Sequence, residues 1–174
     1  MDKRNWTRLV IGLLCGALAI TTFISWILML SAVGSPSQAG YLVDLSFSSV
    51  AGVFAASVFF MGLSASCIID YSGAKNKYLS GIILIIAGGI ALISGIIYMV
   101  DVIIDAGELS DAAREIRYII GDINSARFIF NVSGGLILYS IIYPLFFGVV
   151  PILFGVGKIL TSFKANKDKV IETI

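Results

Sequence analysis

The 174-residue sequence contains no histidine, only two cysteines and only three prolines, and charged residues make up just 13% of it. Without histidine, the chain lacks the commonest metal ligand and the usual proton shuttle near neutral pH. No group of cysteine and acidic residues has the spacing of a metal site. No glycine-rich stretch continues into the Lys-Ser or Lys-Thr pair of a phosphate-binding loop. The sequence therefore predicts a protein without catalytic residues, metal or cofactor.

Charge is also nearly balanced, with 12 basic and 11 acidic residues and a net charge of +1. Such a chain has no bulk electrostatic attraction for nucleic acid, which we exclude as a partner. The cysteines, Cys15 and Cys67, are too far apart for the closely spaced pair of a thiol oxidoreductase. We interpret both as small apolar residues facing a reducing compartment.

Four long stretches contain no Asp, Glu, Lys or Arg: residues 9–43, 45–69, 78–100 and 128–157. A helix rises 1.5 Å per residue, so about 20 apolar residues cross a hydrocarbon core about 30 Å thick. The first stretch is too long for the apolar region of a cleavable signal peptide. We predict an all-α integral membrane protein in which residues 1–174 form one membrane domain, a bundle of four transmembrane helices. The predicted spans are residues 9–33, 48–69, 78–101 and 128–150.

Lysine and arginine are distributed unevenly around these spans. Nine of them flank the two chain ends and the loop between the second and third spans, whereas three lie between the third and fourth. Cytoplasmic segments carry the excess of such residues. We therefore predict cytoplasmic termini, a cytoplasmic tail at 158–174, outer loops at 34–47 and 102–127, and location in the plasma (cytoplasmic) membrane.

Glycine recurs every seventh residue in the third span, at Gly81, Gly88 and Gly95. Helices associate in lipid through close van der Waals contact, and a seven-residue repeat keeps small residues against one neighbour. Small residues also recur in the first two spans. The predicted helix-packing residues are Gly12, Gly16, Gly52, Ala56, Gly81, Gly88 and Gly95. The alternative is that membrane helices simply contain more glycine.

The second outer loop has the pattern of a short amphipathic helix. Asp105 and Glu108 fit a capping box, and Gly121 is a typical helix end. Between them lies an apolar stripe at helical spacing: Leu109, Ala112, Ala113, Ile116, Ile119 and Ile120. We expect this helix to lie over the mouth of the bundle. Its stripe either covers the bundle or docks a partner, with Ile116 and Ile120 as candidate docking residues.

The fourth charge-free stretch is longer than one span and contains Pro144 and Pro151. Proline removes a helical hydrogen bond and can kink the helix. Residues 128–163 thus form either a span followed by an interfacial helix at 152–163 or one long helix. In the first case Lys158 reaches the headgroups. Asp70, independently of this choice, is expected to be a solvated residue at a span end.

The span interiors contain no ionisable side chain except the two thiols, whereas proton relays and ion-coupled transporters keep charged groups at membrane depth. We therefore predict a non-catalytic small transmembrane subunit that packs in, assembles or stabilises a larger membrane complex, including an accessory subunit of a membrane enzyme. The alternative is an oligomeric channel or facilitator for a small neutral solute. A membrane enzyme that uses carboxylates at span ends is the third possibility. The expected partners are the bilayer and other membrane subunits or further copies of this chain.

Overall fold

The computed structural model describes residues 3–32, 47–72 and 77–171, and all of these except Gly121 and Asp122 are helical. The helices are α1 (Lys3–Ala32), α2 (Phe47–Ser72), α3 (Lys77–Glu115), α4 (Ile123–Pro144) and α5 (Val150–Ile171). One π-helical turn, Ile116–Ile120, extends α3, and a second, Leu145–Val149, joins α4 to α5.

Four of the helical segments are long and apolar enough to cross a membrane: Trp6–Ser31, Val50–Ser72, Lys77–Ile119 and Ile123–Lys164. They correspond in order to the four charge-free stretches of the sequence. The prediction of an all-helical chain with four such helices is therefore confirmed.

The helices pack in the order of the chain. α1 lies on α2, α2 on α3, and α3 on both α4 and α5, whereas α1 makes no comparable contact with any other helix. The core is built largely from small residues, with Ala55, Ser57 and Ala91 fully buried beside Leu84. Small side chains let the helix backbones approach closely, as they do in membrane helix bundles.

The region predicted as a separate amphipathic helix continues α3 instead. Asp105 lies inside α3 and does not cap a new helix, so the predicted helix start is corrected. Ala106 and Ala113 are buried in this extension. The packing of their small side chains keeps α3 helical past Asp105 and Glu108, where the capping box predicted the start of a new helix. The predicted helix end is confirmed, because Gly121 adopts φ 73° and its N–H donates to the Ile116 carbonyl.

The chain reverses at Gly121, and α4 starts directly afterwards. Asp122 caps α4, since its Oδ1 accepts the backbone N–H groups of Asn124 and Ser125 at 3.1 Å each. Residues 101–137 thus form a helical hairpin made of the end of α3 and the start of α4, which we call the hairpin.

The two prolines of the fourth stretch do not separate a span from an interfacial helix. A π-helical turn follows Pro144 directly, and the chain remains helical from Ile123 to Ile171. Pro151 follows this π-helical turn by two residues, and its missing N–H removes one hydrogen bond without ending the helix. Of the two alternatives for residues 128–163, the structure has the single continuous helix.

Candidate functional site

The three glycines of the seven-residue repeat in α3 lie where this helix closely approaches α4, α5 and the π-helical turn between them. They face Gly155, Gly148 and Pro144 respectively, in the order Gly81, Gly88 and Gly95. A Cβ atom added to Gly81 would lie 2.7 Å from the Gly155 carbonyl oxygen, and one added to Gly88 would lie 2.8 Å from the Gly148 carbonyl oxygen. Any side chain at these positions would force the backbones apart.

The facing glycines, Gly148 and Gly155, were not among the predicted packing residues. A Cβ atom on Gly155 would lie 2.6 Å from the Gly81 carbonyl oxygen, so the close approach is reciprocal. These two glycines are also one heptad apart in the sequence. The same seven-residue signal therefore exists on both sides of the interface.

The predicted small residues of α1 lie against α2. A Cβ atom on Gly12 would lie 3.2 Å from Cys67 Cβ, and one on Gly16 would lie 3.1 Å from Ser64 Oγ. Ser64 also donates a hydrogen bond of 2.8 Å to the Gly12 carbonyl. Glycine at position 12 thus brings its backbone within reach of a side chain of the neighbouring helix.

The predicted small residues of α2 lie in the centre of the bundle. A Cβ atom on Gly52 would lie 2.9 Å from the Tyr98 ring, and the Tyr143 hydroxyl donates to the Gly52 carbonyl. Ala56 is buried on the same helix. Gly52 therefore joins α2 to an aromatic pair, Tyr98 and Tyr143, whose ring centroids are 5.0 Å apart.

A polar cluster joins α2, α3 and α5 at the opposite end of the bundle from the hairpin. Lys158 Nζ donates to Asp70 Oδ2 at 2.6 Å, to Ser66 Oγ at 2.6 Å and to Ser80 Oγ at 2.8 Å. The two serine hydroxyls lie 2.8 Å from each other. All three N–H donors of the ammonium group are thus used within one cluster.

The structure places the two charged residues of this cluster differently from the sequence-based prediction. Lys158 was expected among the headgroups and Asp70 at a solvated span end, yet their side chains are only 27% and 14% exposed. Asp70 Oδ1 is buried without a hydrogen-bond partner among the described residues. Ser66 and Asp70 are four residues apart, hence on one face of α2, and this spacing is the signal that points to a polar site.

The hydrogen bonds of this cluster connect three helices. Ser66 and Ser80 are buried, so a substrate has no access to their hydroxyls. Lys158 Nζ is hydrogen-bonded to both of these hydroxyls and to the Asp70 carboxylate. The cluster therefore fixes the relative positions of three helices.

A cleft of about 470 Å³ lies at the tip of the hairpin, between the end of α3 and the start of α4. Its lining residues are Ala113, Arg114, Arg117, Tyr118, Ile123, Ala126, Arg127 and Phe130. Of the two predicted docking residues, Ile116 is half-buried beside this cleft, and the side chain of Ile120 lies outside the described residues. Tyr118 and Ile119, between them, are 83% and 80% exposed.

In the described parts of the chain, no three His, Cys, Asp or Glu side chains come together as a metal site. Compared with protein-family models, curated proteins and solved structures, the chain matches none. The function is therefore inferred from the arrangement of the chain's own residues.

Proposed function

We propose that this protein is a four-span integral membrane protein and a non-catalytic subunit of a larger membrane complex, which it packs in, assembles or stabilises. The observation that carries the proposal is the length of the hairpin together with the apolar side chains that it leaves uncovered. The position of the bilayer along the helices determines how far the hairpin projects.

Two polar levels support one placement of the bilayer. Lys77 and the Lys158–Asp70 pair mark one boundary, and Asp101 marks the other. The part of α3 between these levels would be about 36 Å long, enough to cross the hydrocarbon core and part of the interfaces. Aromatic side chains at Tyr98 and Tyr139 suit the second boundary, where tyrosine prefers the headgroup region.

This placement shifts the fourth span from its predicted position. The Ser133 hydroxyl donates to the Ala106 carbonyl at 2.7 Å, so Ser133 lies level with a part of α3 beyond Asp101. At the other boundary, Lys158 is level with Asp70. We therefore propose a fourth span at about residues 138–157, a length of about 30 Å, in place of residues 128–150.

The hairpin would then extend about 30 Å past the bilayer, which is the length of the helix from Asp101 to Gly121. Many of its large apolar side chains are exposed: Ile103, Ile104, Leu109, Tyr118, Ile119, Ile123, Phe128, Phe130 and Val132. Outside lipid, an uncovered apolar surface of this kind marks a protein-protein contact. We propose that a different subunit covers it, with Ile116 and Ile120 at the edge of the contact.

The closed interior of the bundle supports a role without catalysis. The glycine contacts leave no side-chain space between α3 and α5, and the polar cluster uses its donors internally. The distribution of lysine and arginine supports cytoplasmic termini in a plasma membrane, with the hairpin outside. The partners are then the bilayer and another membrane subunit.

One observation favours the alternative, an oligomeric channel for a small neutral solute. α1 packs on α2 and leaves most of its surface free, and this free surface includes Ala17, Thr21 and Ser25 at four-residue spacing. Small residues at this spacing promote contacts between membrane helices. Copies of this chain that associate through α1 would form the oligomer that a channel requires.

Site-specific photocrosslinking in native membranes separates the two proposals. A photoreactive amino acid at Ile119 should form a covalent adduct with one different polypeptide, and the adduct should have a single defined mass. The matched control is Ile93, an exposed residue in the middle of α3, which should crosslink mainly to lipid. An Ile119 adduct with a second copy of the chain would favour the channel. The absence of any protein adduct at Ile119 would overturn the accessory role.

A further inference from the structure

We propose that the cleft at the tip of the hairpin binds a small soluble molecule with a phosphate or carboxylate group on an apolar or aromatic body. The cleft shares Tyr118, Ile123 and Phe130 with the exposed apolar side chains along the hairpin, but its three arginines have no part in the proposed accessory role.

Charge is segregated at this tip. The segment 101–127 contains three arginines and six acidic residues. All three arginines line the cleft, and none of the acidic residues does. Such a distribution creates a positive potential inside the cleft on a hairpin that is otherwise acidic.

Two of the three arginines have no counter-ion in the described part of the chain. Arg114 pairs with Asp111 at 3.3 Å, and both side chains are well exposed, so this pair is weak. Among the described residues, neither Arg117 nor Arg127 has an ion-pair partner. Guanidinium groups bind the oxygens of phosphate and carboxylate through two parallel hydrogen bonds, which sets the chemical class of the ligand.

The remaining lining is apolar. Ala113 and Ala126 are buried small residues, and the Tyr118, Ile123 and Phe130 side chains complete the surface. A volume of about 470 Å³ is in the range of small-molecule sites, which combine a mostly apolar surface with a few charged groups. The aromatic rings suit a flat apolar body attached to the anionic group.

The position of the cleft favours a soluble ligand over a lipid. Arg114 and Arg117 lie about 20 and 24 Å of helix beyond Asp101, so headgroups of the same membrane do not reach them. This step rests on the membrane placement proposed above. An acidic segment of a protein partner is the competing occupant, and the experiment below distinguishes it.

Isothermal titration calorimetry on the full chain in neutral lipid nanodiscs, with phenyl phosphate as the probe, tests the proposal. We expect saturable binding that exceeds the binding of inorganic phosphate and of phenol, because both parts of the ligand contribute. Arg117→Gln and Arg127→Gln should each weaken binding roughly tenfold or more, since each removes a charge-assisted contact. The matched control, Lys164→Gln, removes an equal charge on the exposed surface of α5 and should change the affinity less than twofold.

Three results would overturn the proposal. The first is no saturable heat with phenyl phosphate, and the second is an equal loss for Lys164→Gln, which would indicate general charge attraction. The third is unchanged ligand binding in both arginine variants together with loss of the Ile119 crosslink, which would assign the arginines to an acidic partner segment. The Ile119 crosslink is measured without added ligand, so the accessory role and the ligand site fail independently.

Discussion

Lys158 Nζ lies 2.6 Å from Asp70 Oδ2, which ties α5 to α2 across 88 positions of the chain. The same ammonium group reaches hydroxyls on α2 and α3, so a single side chain holds three helices together. A partly buried ion pair of this kind is costly to break, because either partner alone would be an uncompensated charge.

Removing the ammonium group should therefore destabilise the protein strongly. Lys158→Met leaves Asp70 in its buried position without a counter-ion, and we expect a loss of about 3 kcal/mol in the free energy of unfolding. The double variant Lys158→Met/Asp70→Asn should recover most of that loss, because neither charge remains. Unfolding in mixed detergent micelles measures both values.

The control for this prediction is Lys164→Met, which removes an exposed lysine from the same helix and should leave the unfolding free energy unchanged. If Lys158→Met were as stable as the wild type, the cluster would not fix the helices.

Two adjacent glycines of α3 provide a matched test of the close helix contact. A methyl group on Gly88 would lie 2.8 Å from the Gly148 carbonyl oxygen and from Ile152 Cγ1. Beyond its chain neighbours and its own helix backbone, a methyl group on Gly89 would have no described atom within 4 Å. Gly88→Ala should cost about 1–3 kcal/mol through overpacking. Gly89→Ala should cost nothing. Equal melting temperatures for the two variants would show that the contact does not constrain the bundle.

The sequence was informative about helices and much less so about how they meet. The charge-free stretches predict the all-helical fold with four long apolar helices, because the length of such a stretch is enough to indicate a helix that could cross a membrane. The pairing of Lys158 with Asp70 depends on how α5 packs against α2, and no local pattern encodes it. The capping pattern at Asp105 was misleading, since burial of Ala106 and Ala113 keeps α3 continuous there.

The cap of α4 should respond to acid. Hydrogen bonds from the Ser125 hydroxyl and from the backbone N–H groups of Ser125 and Asn124 lower the pKa of Asp122 below its ordinary value. The carboxylate is thus favoured in the folded protein. Its stabilising contribution is present above about pH 4, the ordinary aspartate value, and is lost as the pH falls through the folded pKa.

Ser125→Ala should raise the pKa of Asp122 toward its ordinary value, because the Ser125 hydroxyl is the largest cause of the shift. Carbon-detected NMR titration of labelled aspartate measures this pKa directly. The unsubstituted protein, titrated under the same conditions, is the reference. A pKa of Asp122 that does not change in the variant would contradict the assigned cap.

The proposed orientation predicts which positions are accessible from outside the cell. In a chain with Cys15 and Cys67 replaced by alanine, Ser110→Cys on the hairpin should react with an impermeant thiol reagent on intact cells. Ser72→Cys, at the end of α2, should react only after the membrane is opened. Labelling of Ser72→Cys alone on intact cells would mean that the orientation is inverted.

The most direct test of the accessory role is the mass of the intact complex released from native membranes in lipid nanodiscs. The chain has a mass of 18.6 kDa, and we predict a complex that also contains a different polypeptide. The variant Tyr118→Asp/Ile119→Asp should lose that polypeptide and keep its melting temperature, because both side chains are exposed and support no internal packing. A wild-type mass that is a whole multiple of the chain's own mass, or a variant that retains its partner, would contradict the account.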